Sequence, residues 1–387
     1  MSVLGVPDPA IMADEELVIF RDSVGKFFDE HAPPERTRKW REDGMVERAF
    51  WTEVGEAGLL GVSIPEEYGG SGGDFRHDIV LFEQLLLKDV SGFAAHLHNG
   101  IVLPYVLAHG TEEQKQRWLP RLCNGELIAA VAMSEPAVGS DLQKISTTAR
   151  RDSGGYRING TKTFISSGQL ANFVVVAAKT DPSLGAKGVS LLVVETDQAE
   201  GFRRGRKLDK MGQDASDTSE LFFDDVWVPS ENLLGADEGQ GFRQLMTELP
   251  RERLVIALRS LTAIEMALET TLDYVKQRKV FGQPILGFQN TQFKLADIKT
   301  EAAAAKTFLN FCVEQLFAGK LDTTLASMAK LLTTELQGKV VDQCLQFHGG
   351  YGYMEEYPIS RMYRDARITR IFGGSNEIMR MLIARSF

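Results

Sequence analysis

Several stretches of this sequence put small or polar residues where a ligand could lie against the main chain. In RIFGGSNEIMR, Arg370 to Arg380, the paired glycines Gly373 and Gly374 precede Ser375, Asn376 and Glu377, which head an apolar-periodic run. Small residues permit close approach to the backbone, and Ser375 is placed to cap the helix that follows. QFHGGYGY, Gln346 to Tyr353, ends another helix in paired glycines, and RKVFGQP, Arg278 to Pro284, ends a third and leads to Gln289. One such stop is an ordinary helix end; three in one helical region suggest a groove for a ligand. MSEPAVGSD, Met133 to Asp141, gathers Ser134, Gly139, Ser140 and Asp141 in a loop. Its hydroxyls and free N–H groups suit a polar ligand carrying phosphates or ring nitrogens.

Other chemistries are excluded. GYRINGTKT, Gly155 to Thr163, is not a phosphate loop, because a threonine separates its second glycine from the lysine and Asn-Gly marks a hairpin. No GxGxxG occurs, and His96 and His98 have no third metal ligand nearby, so no metal site is expected. Cys123, Cys312 and Cys344 form no CxxC pair, which fits a reducing compartment. A net charge of -10 argues against general nucleic-acid binding while leaving room for a local basic pocket. No apolar run nears the roughly 18 residues of a membrane span, and no targeting segment is seen. The expectation is a cytoplasmic protein of bacterial type.

The elements that must position these residues fall into three blocks. With 387 residues, 43% of them hydrophobic, the chain is long enough for two or three domains with a large core. Residues 1–128 read as helical: Leu17, Phe20, Val24, Phe27 and Phe28 recur at helical spacing before Pro33-Pro34. A second helix runs near Ala49 to Leu60, and Thr111 with Gln114 forms a capping box for a third, stopped at Gly125. Residues 129–238 turn to short β-branched and aromatic runs, NFVVVAAKT, GVSLLVVET and SELFFDDVWVP. Asn159-Gly160 predicts a type I′ hairpin turn there. Residues 239–387 return to helices, long ones over Glu252 to Arg278, Phe288 to Phe317 and Thr323 to Phe347. Long helices with short connections predict an antiparallel bundle.

Together, AMSEPAVGSD, TKTFISSGQLANF, RERLVIA, QRKVFGQPILGFQ, QFHGGYGYMEEYPISRMYRDARI and IFGGSNEIMR resemble the acyl-CoA dehydrogenase family over essentially the whole chain. The resemblance implies an α+β multidomain fold: an N-terminal helical domain, a middle β-barrel and a C-terminal four-helix bundle. It implies FAD, an acyl-CoA thioester oxidised to the trans-2-enoyl-CoA, electron-transfer flavoprotein as acceptor, and a homotetramer built as a dimer of dimers. By the same resemblance Met133, Ser134, Gly139 and Ser140 lie along the flavin and the mouth of the CoA channel. Phe164 packs on the isoalloxazine and the Ser166 hydroxyl bonds near its N5; many relatives carry Trp and Thr there. Arg278, Phe281, Gln289, Gln346 and Gly350 match positions at which a neighbouring subunit holds the FAD pyrophosphate and adenosine. Ser375 and Glu377 match positions near the pyrophosphate, Glu377 standing where a neutral glutamine is often found.

The resemblance also raises a problem. Many members carry the base that removes the substrate's α-proton at the position of Gly373, which here has no side chain. A subset that includes long-chain and isovaleryl-CoA dehydrogenases carries the glutamate on a bundle helix, and ELPRERLVIA puts Glu252 at that position. Glu252 is therefore the expected base, with Arg253, Gly373, Gly374 and Ser140 about the substrate. A bare residue 373 makes room for a base arriving from the helix and for bulk at the α- or β-carbon, which favours long or branched acyl groups. Two alternatives are a same-fold flavin oxidase or monooxygenase and a non-catalytic acyl-CoA-binding protein.

Overall fold

The structure, a computed structural model, describes residues 2–90 and 92–387. It divides into two compact units: Phe20–Lys210 with Asp214–Glu248, and Met1–Ile19 with Met211–Gln213 and Leu249–Phe387. We call them the sheet unit and the bundle unit. The architecture is N-terminal helices, a middle β half-barrel and C-terminal helices.

The N-terminal helices are α1 (Glu15–His31), α2 (Pro34–Asp43), α3 (Arg48–Glu56), α4 (Phe75–Leu87), α5 (Ala95–Leu97), α6 (Leu103–His109) and α7 (Glu112–Cys123). The proline pair ends α1 as the sequence suggests, and Pro34 also starts α2, since proline at the first helical position sacrifices no ladder bond. The capping box of α7 is formed: the Gln114 N–H donates to Thr111 Oγ1 at 3.3 Å, and the Thr111 N–H to Gln114 Oε1 at 3.0 Å. In the sheet unit Trp40, Phe50, Trp51 and Phe93 build a buried aromatic cluster, with ring centroids 4.5–5.0 Å apart.

Seven strands follow: β1 (Ala129–Ala132), β2 (Thr148–Asp152), β3 (Gly155–Ser166), β4 (Phe173–Lys179), β5 (Val189–Glu195), β6 (Phe202–Lys207) and β7 (Thr218–Pro229). They form one sheet in the order β1-β4-β2-β3-β7-β6, with β5 on β4. The predicted turn at Asn159-Gly160 is not there: β3 runs straight through it. The hairpin turn is Ser153-Gly154, both at positive φ (46° and 82°), between the paired Asp152 and Gly155. Asn159 instead bonds the bulge residue Asp225, whose N–H donates to Asn159 Oδ1 at 2.9 Å. At Gly160 a side chain would meet Thr147 Oγ1 at 2.3 Å, so this glycine serves close strand packing rather than a turn.

The C-terminal region holds α8 (Gly241–Gln277), the short strands β8 (Lys279–Val280) and β9 (Gln283–Pro284), α9 (Gln289–Phe317), α10 (Thr323–His348), α11 (Pro358–Ala366) and α12 (Asn376–Ala384). The helix expected from Glu252 begins earlier, at Gly241, because Pro250 is absorbed inside it. Cys312 and Cys344 are buried in the bundle unit and Cys123 in the sheet unit, all as free thiols. No described helix is long and apolar enough to cross a membrane, and no group of potential metal ligands occurs among the described residues.

Candidate active site

In the sheet unit the site residues gather about β3. Its register against β7 slips between Lys162 and Ile165, and the slip turns Phe164 outward. Phe164 has a φ of 59° and its side chain is 71% exposed. An aromatic residue in the left-handed region costs roughly 1–3 kcal/mol and persists only where its surroundings hold it. Lys162 and Glu135, both buried, do the holding. Lys162 Nζ donates to the Met133 carbonyl at 3.0 Å and to Glu135 Oε1 at 2.9 Å. Glu135 also accepts from the Ser146 N–H and hydroxyl, both at 2.6 Å, and from the Thr147 N–H at 2.9 Å. The Thr163 N–H donates to the Ser134 carbonyl at 2.9 Å. The Met133–Ser140 loop is thus fastened to the strand on the residues just before Phe164, while Gly139, Ser140 and Ser166 stay exposed.

The electrostatics of this clamp are consistent. Burial alone would raise the Glu135 carboxyl, but the Ser146 hydroxyl, the Lys162 charge and Thr147 outweigh it and hold the group well below the usual carboxylate range. Burial pushes the Lys162 ammonium down, and Glu135 opposes the shift. Neither residue was singled out from sequence. A lysine among polar strand residues reads as solvated, and only the fold shows that it points inward.

In the bundle unit Glu252 and Arg253 lie on α8, 5% and 4% exposed. Burial lowers the Arg253 pKa and the Glu252 charge opposes it, so the two side chains sense each other. The Gly373-Gly374 turn lies against the same stretch of helix. Both glycines have positive φ, 64° and 86°. A side chain on Gly373 would meet Ile256 Cδ1 at 2.3 Å, and one on Gly374 would come to 4.0 Å from Arg253 Nη2. Ile256 is one helical turn beyond Glu252, so base candidate, apolar neighbour and bare turn share one face of α8. Ser375 occupies the N-cap position of α12, yet its hydroxyl makes no capping bond to the helix N–H groups. The exposed Glu377 carboxyl is held down, chiefly by its own backbone N–H and by the Ser375 hydroxyl.

The remaining predicted residues converge elsewhere in the bundle unit. The Arg278 guanidinium lies 5.7 Å over the Tyr351 ring, joining the end of α8 to the Gly349–Tyr353 turn after α10. Tyr274 stacks on His348 with centroids 4.2 Å apart, and its hydroxyl donates to the His348 carbonyl at 3.3 Å. Gln289, Gln346 and Gly350 are exposed, and Phe281, at φ 51°, is 96% exposed at the β8–β9 hairpin. The three glycine-marked helix ends do not all gather at one point of the bundle unit. Two of the ends meet. The third lies by Lys330, 16 residues back along α10 from Gln346, which is about 24 Å of helix.

The comparisons with known proteins agree with this architecture. Profiles of the acyl-CoA dehydrogenase N-terminal, middle and C-terminal domains match residues 14–126, 130–226 and 239–387. The chain is 46% identical to the long-chain specific acyl-CoA dehydrogenase of Mus musculus mitochondria, over 95% of this chain and 85% of that one. It is 37% identical to isovaleryl-CoA dehydrogenase of Solanum tuberosum mitochondria, over 97% and 91%. The crystal structure of acyl-CoA dehydrogenase from Geobacillus kaustophilus superposes with a TM-score of 0.94 at 48% identity, covering 96% and 98%. The chain belongs to the acyl-CoA dehydrogenase family. It is an oxidoreductase, and its cofactor is FAD; a glutaryl-CoA dehydrogenase from Mycobacterium smegmatis solved with FADH2 has the same fold, at a TM-score of 0.88 and 28% identity over 97% and 95% of the two chains. The residues of this chain fit that group. A flat aromatic ring is presented outward at Phe164 beside the Ser166 hydroxyl, on a loop and strand locked together from behind.

Proposed function

We propose that this enzyme oxidises acyl-CoA thioesters, long or branched ones by preference, to trans-2-enoyl-CoA, with Glu252 as the base that takes the α-proton. The observation that carries the reading is a buried carboxylate on α8 beside a glycine turn where a side chain at residue 373 would collide with Ile256. A side chain at residue 373 has no place against Ile256, which leaves the helix-borne carboxylate as the candidate base. FAD, when bound, supplies the acceptor for the hydride leaving the β-carbon. Phe164, Ser166, Met133, Ser134 and Gly139 would seat its ring system, and Ser375 and Glu377 would lie near its pyrophosphate. Arg278, Phe281, Gln289, Gln346 and Gly350 would serve the cofactor of a neighbouring subunit in a homotetramer.

Glu252 must be ionised before substrate enters and become a stronger base once water leaves, because desolvation disfavours the charged carboxylate. The Gly373-Gly374 turn brings no side chain of its own to this face of α8, where Ile256 lies against it, and Ser140 marks the entrance for the CoA portion. The electrons then pass to electron-transfer flavoprotein.

Anaerobic mixing of the yellow enzyme with a panel of straight and branched acyl-CoAs tests this. Long-chain or branched substrates should bleach the flavin fastest. No bleaching by any member of the panel would end the dehydrogenase reading, and rapid recolouring in air would mark an oxidase instead.

A further inference from the structure

One buried cation near the proposed base has no part in the chemistry described so far. Lys330, on α10, is fully buried. Its Nζ donates to the Gly374 carbonyl at 2.9 Å and to Asn376 Oδ1 at 2.8 Å. Asn376, 1% exposed, is itself tied back to α10: its Nδ2 donates to Thr334 Oγ1 and to Glu335 Oε1, each at 3.0 Å. Thr334 in turn donates its hydroxyl to the Lys330 carbonyl at 2.7 Å. The groups form a closed network that grips the chain on the C-terminal side of the Gly373-Gly374 turn.

Two features set this network apart from ordinary core packing. First, both acceptors of Lys330 are neutral. The nearby carboxylate of Glu335 is taken by Arg370 at 2.8 Å and Arg380 at 3.1 Å. A buried ammonium without its own carboxylate is costly and is kept where its bonds hold something in place. Second, what it holds is a pair of successive left-handed glycines, the most pliable backbone available, against the face of α8 that bears Glu252 and Arg253.

We propose that Lys330 is a positioning residue for the reaction: its charged ammonium pins the Gly373-Gly374 turn against α8 and so fixes the wall across which Glu252 meets the substrate. The inference rests on the dehydrogenase reading above. Charge-assisted bonds are roughly twice as strong as neutral ones, so the grip depends on the proton. Burial and the Arg253 charge lower the Lys330 pKa to about 8, against the weaker pull of Glu335 and Glu377. The groups facing it are Arg253 from α8, Asn376 and Glu377 from α12, and Thr334 and Glu335 from α10. Both carboxylates are held below their ordinary range and stay ionised where Lys330 titrates.

The test is the anaerobic bleaching rate of the wild-type holoenzyme at saturating acyl-CoA, followed from about pH 6.5 to 9.5. The rate should fall as pH rises through about 8. In Lys330→Met it should be about tenfold lower at neutral pH and lack that alkaline limb, with acyl-CoA affinity changed less than about threefold. Lys330→Arg, which keeps the charge without titrating, should lack the limb and retain most of the rate, and it decides the matter if the methionine variant does not load FAD. Without substrate, amide exchange in residues 370–380 should quicken in Lys330→Met and not in Lys330→Arg. A wild-type profile with no alkaline limb, or a limb that survives in either variant, would overturn the proposal. If no acyl-CoA bleaches the wild-type flavin, it is the dehydrogenase reading that falls.

Discussion

Glu252 sits between two arginines in the sequence and is 5% exposed in the fold, a combination that local composition does not announce. By residue type alone a charged run of this kind is a solvated helix face. What marks Glu252 as the proposed base is the family resemblance together with the glycine at 373, where many members carry theirs. Glu252→Gln should keep the protein yellow and able to bind acyl-CoA while slowing flavin bleaching by at least the ~10²-fold typical of a lost general base; near-normal turnover would remove Glu252 from the role. Gly373 carries a second prediction. Gly373→Ala places a β-carbon at a φ of 64° and 2.3 Å from Ile256 Cδ1. The backbone term should cost about 1–2 kcal/mol, with the clash added. Ile256→Val removes the colliding methyl, so the double variant should be more stable than the two single losses summed, measured as thermal midpoints. Strict additivity would mean the contact is not felt.

At the scale of elements, the long helices, the capping box of α7 and the strand-rich middle were readable because periodicity and caps are local signals. The hairpin was misplaced because Asn-Gly has two uses: it can turn a chain, or it can let two strands approach. Which use applies depends on Thr147 and Asp225, distant partners that no local window contains. The Lys162–Glu135 clamp was invisible for the same reason. Its consequence is an acid-sensitive sheet unit. Glu135 has a lower pKa folded than its ordinary 4.5, so its contribution to stability is complete above that pH and is lost as the pH falls below it. Glu135→Gln strands a buried ammonium and should cost roughly 3–5 kcal/mol near neutrality. In urea titrations the gap between wild type and variant should narrow steadily below pH 4.5; a constant gap would show that the carboxylate's charge is not what the site uses. At the end of α8, Arg278→Ala removes the guanidinium proposed to hold cofactor pyrophosphate, a charge-assisted contact. The purified variant should lose FAD on gel filtration, and full retention of the yellow colour would withdraw that assignment.

For the molecule as a whole, the three-block order was legible from composition shifts alone, whereas the partition of the site was not. Its residues fall into three local clusters: one about β3, one about Glu252 and one about Arg278. Sequence spacing groups the last two as a single helical region, and only the length of α10 separates them. The buried cysteines have a practical consequence. Burial pushes the thiol of Cys123 up to about 12 and those of Cys312 and Cys344 up to about 11, so reactive thiolate is scarce in the native enzyme at neutral pH. Alkylating agents should therefore modify each position only when the surrounding fold opens. Cys123 belongs to the sheet unit and the other two to the bundle unit, which gives the chain an internal stopwatch for each. Pulse alkylation with mass mapping would show which half yields first under heat or denaturant, without a single added label.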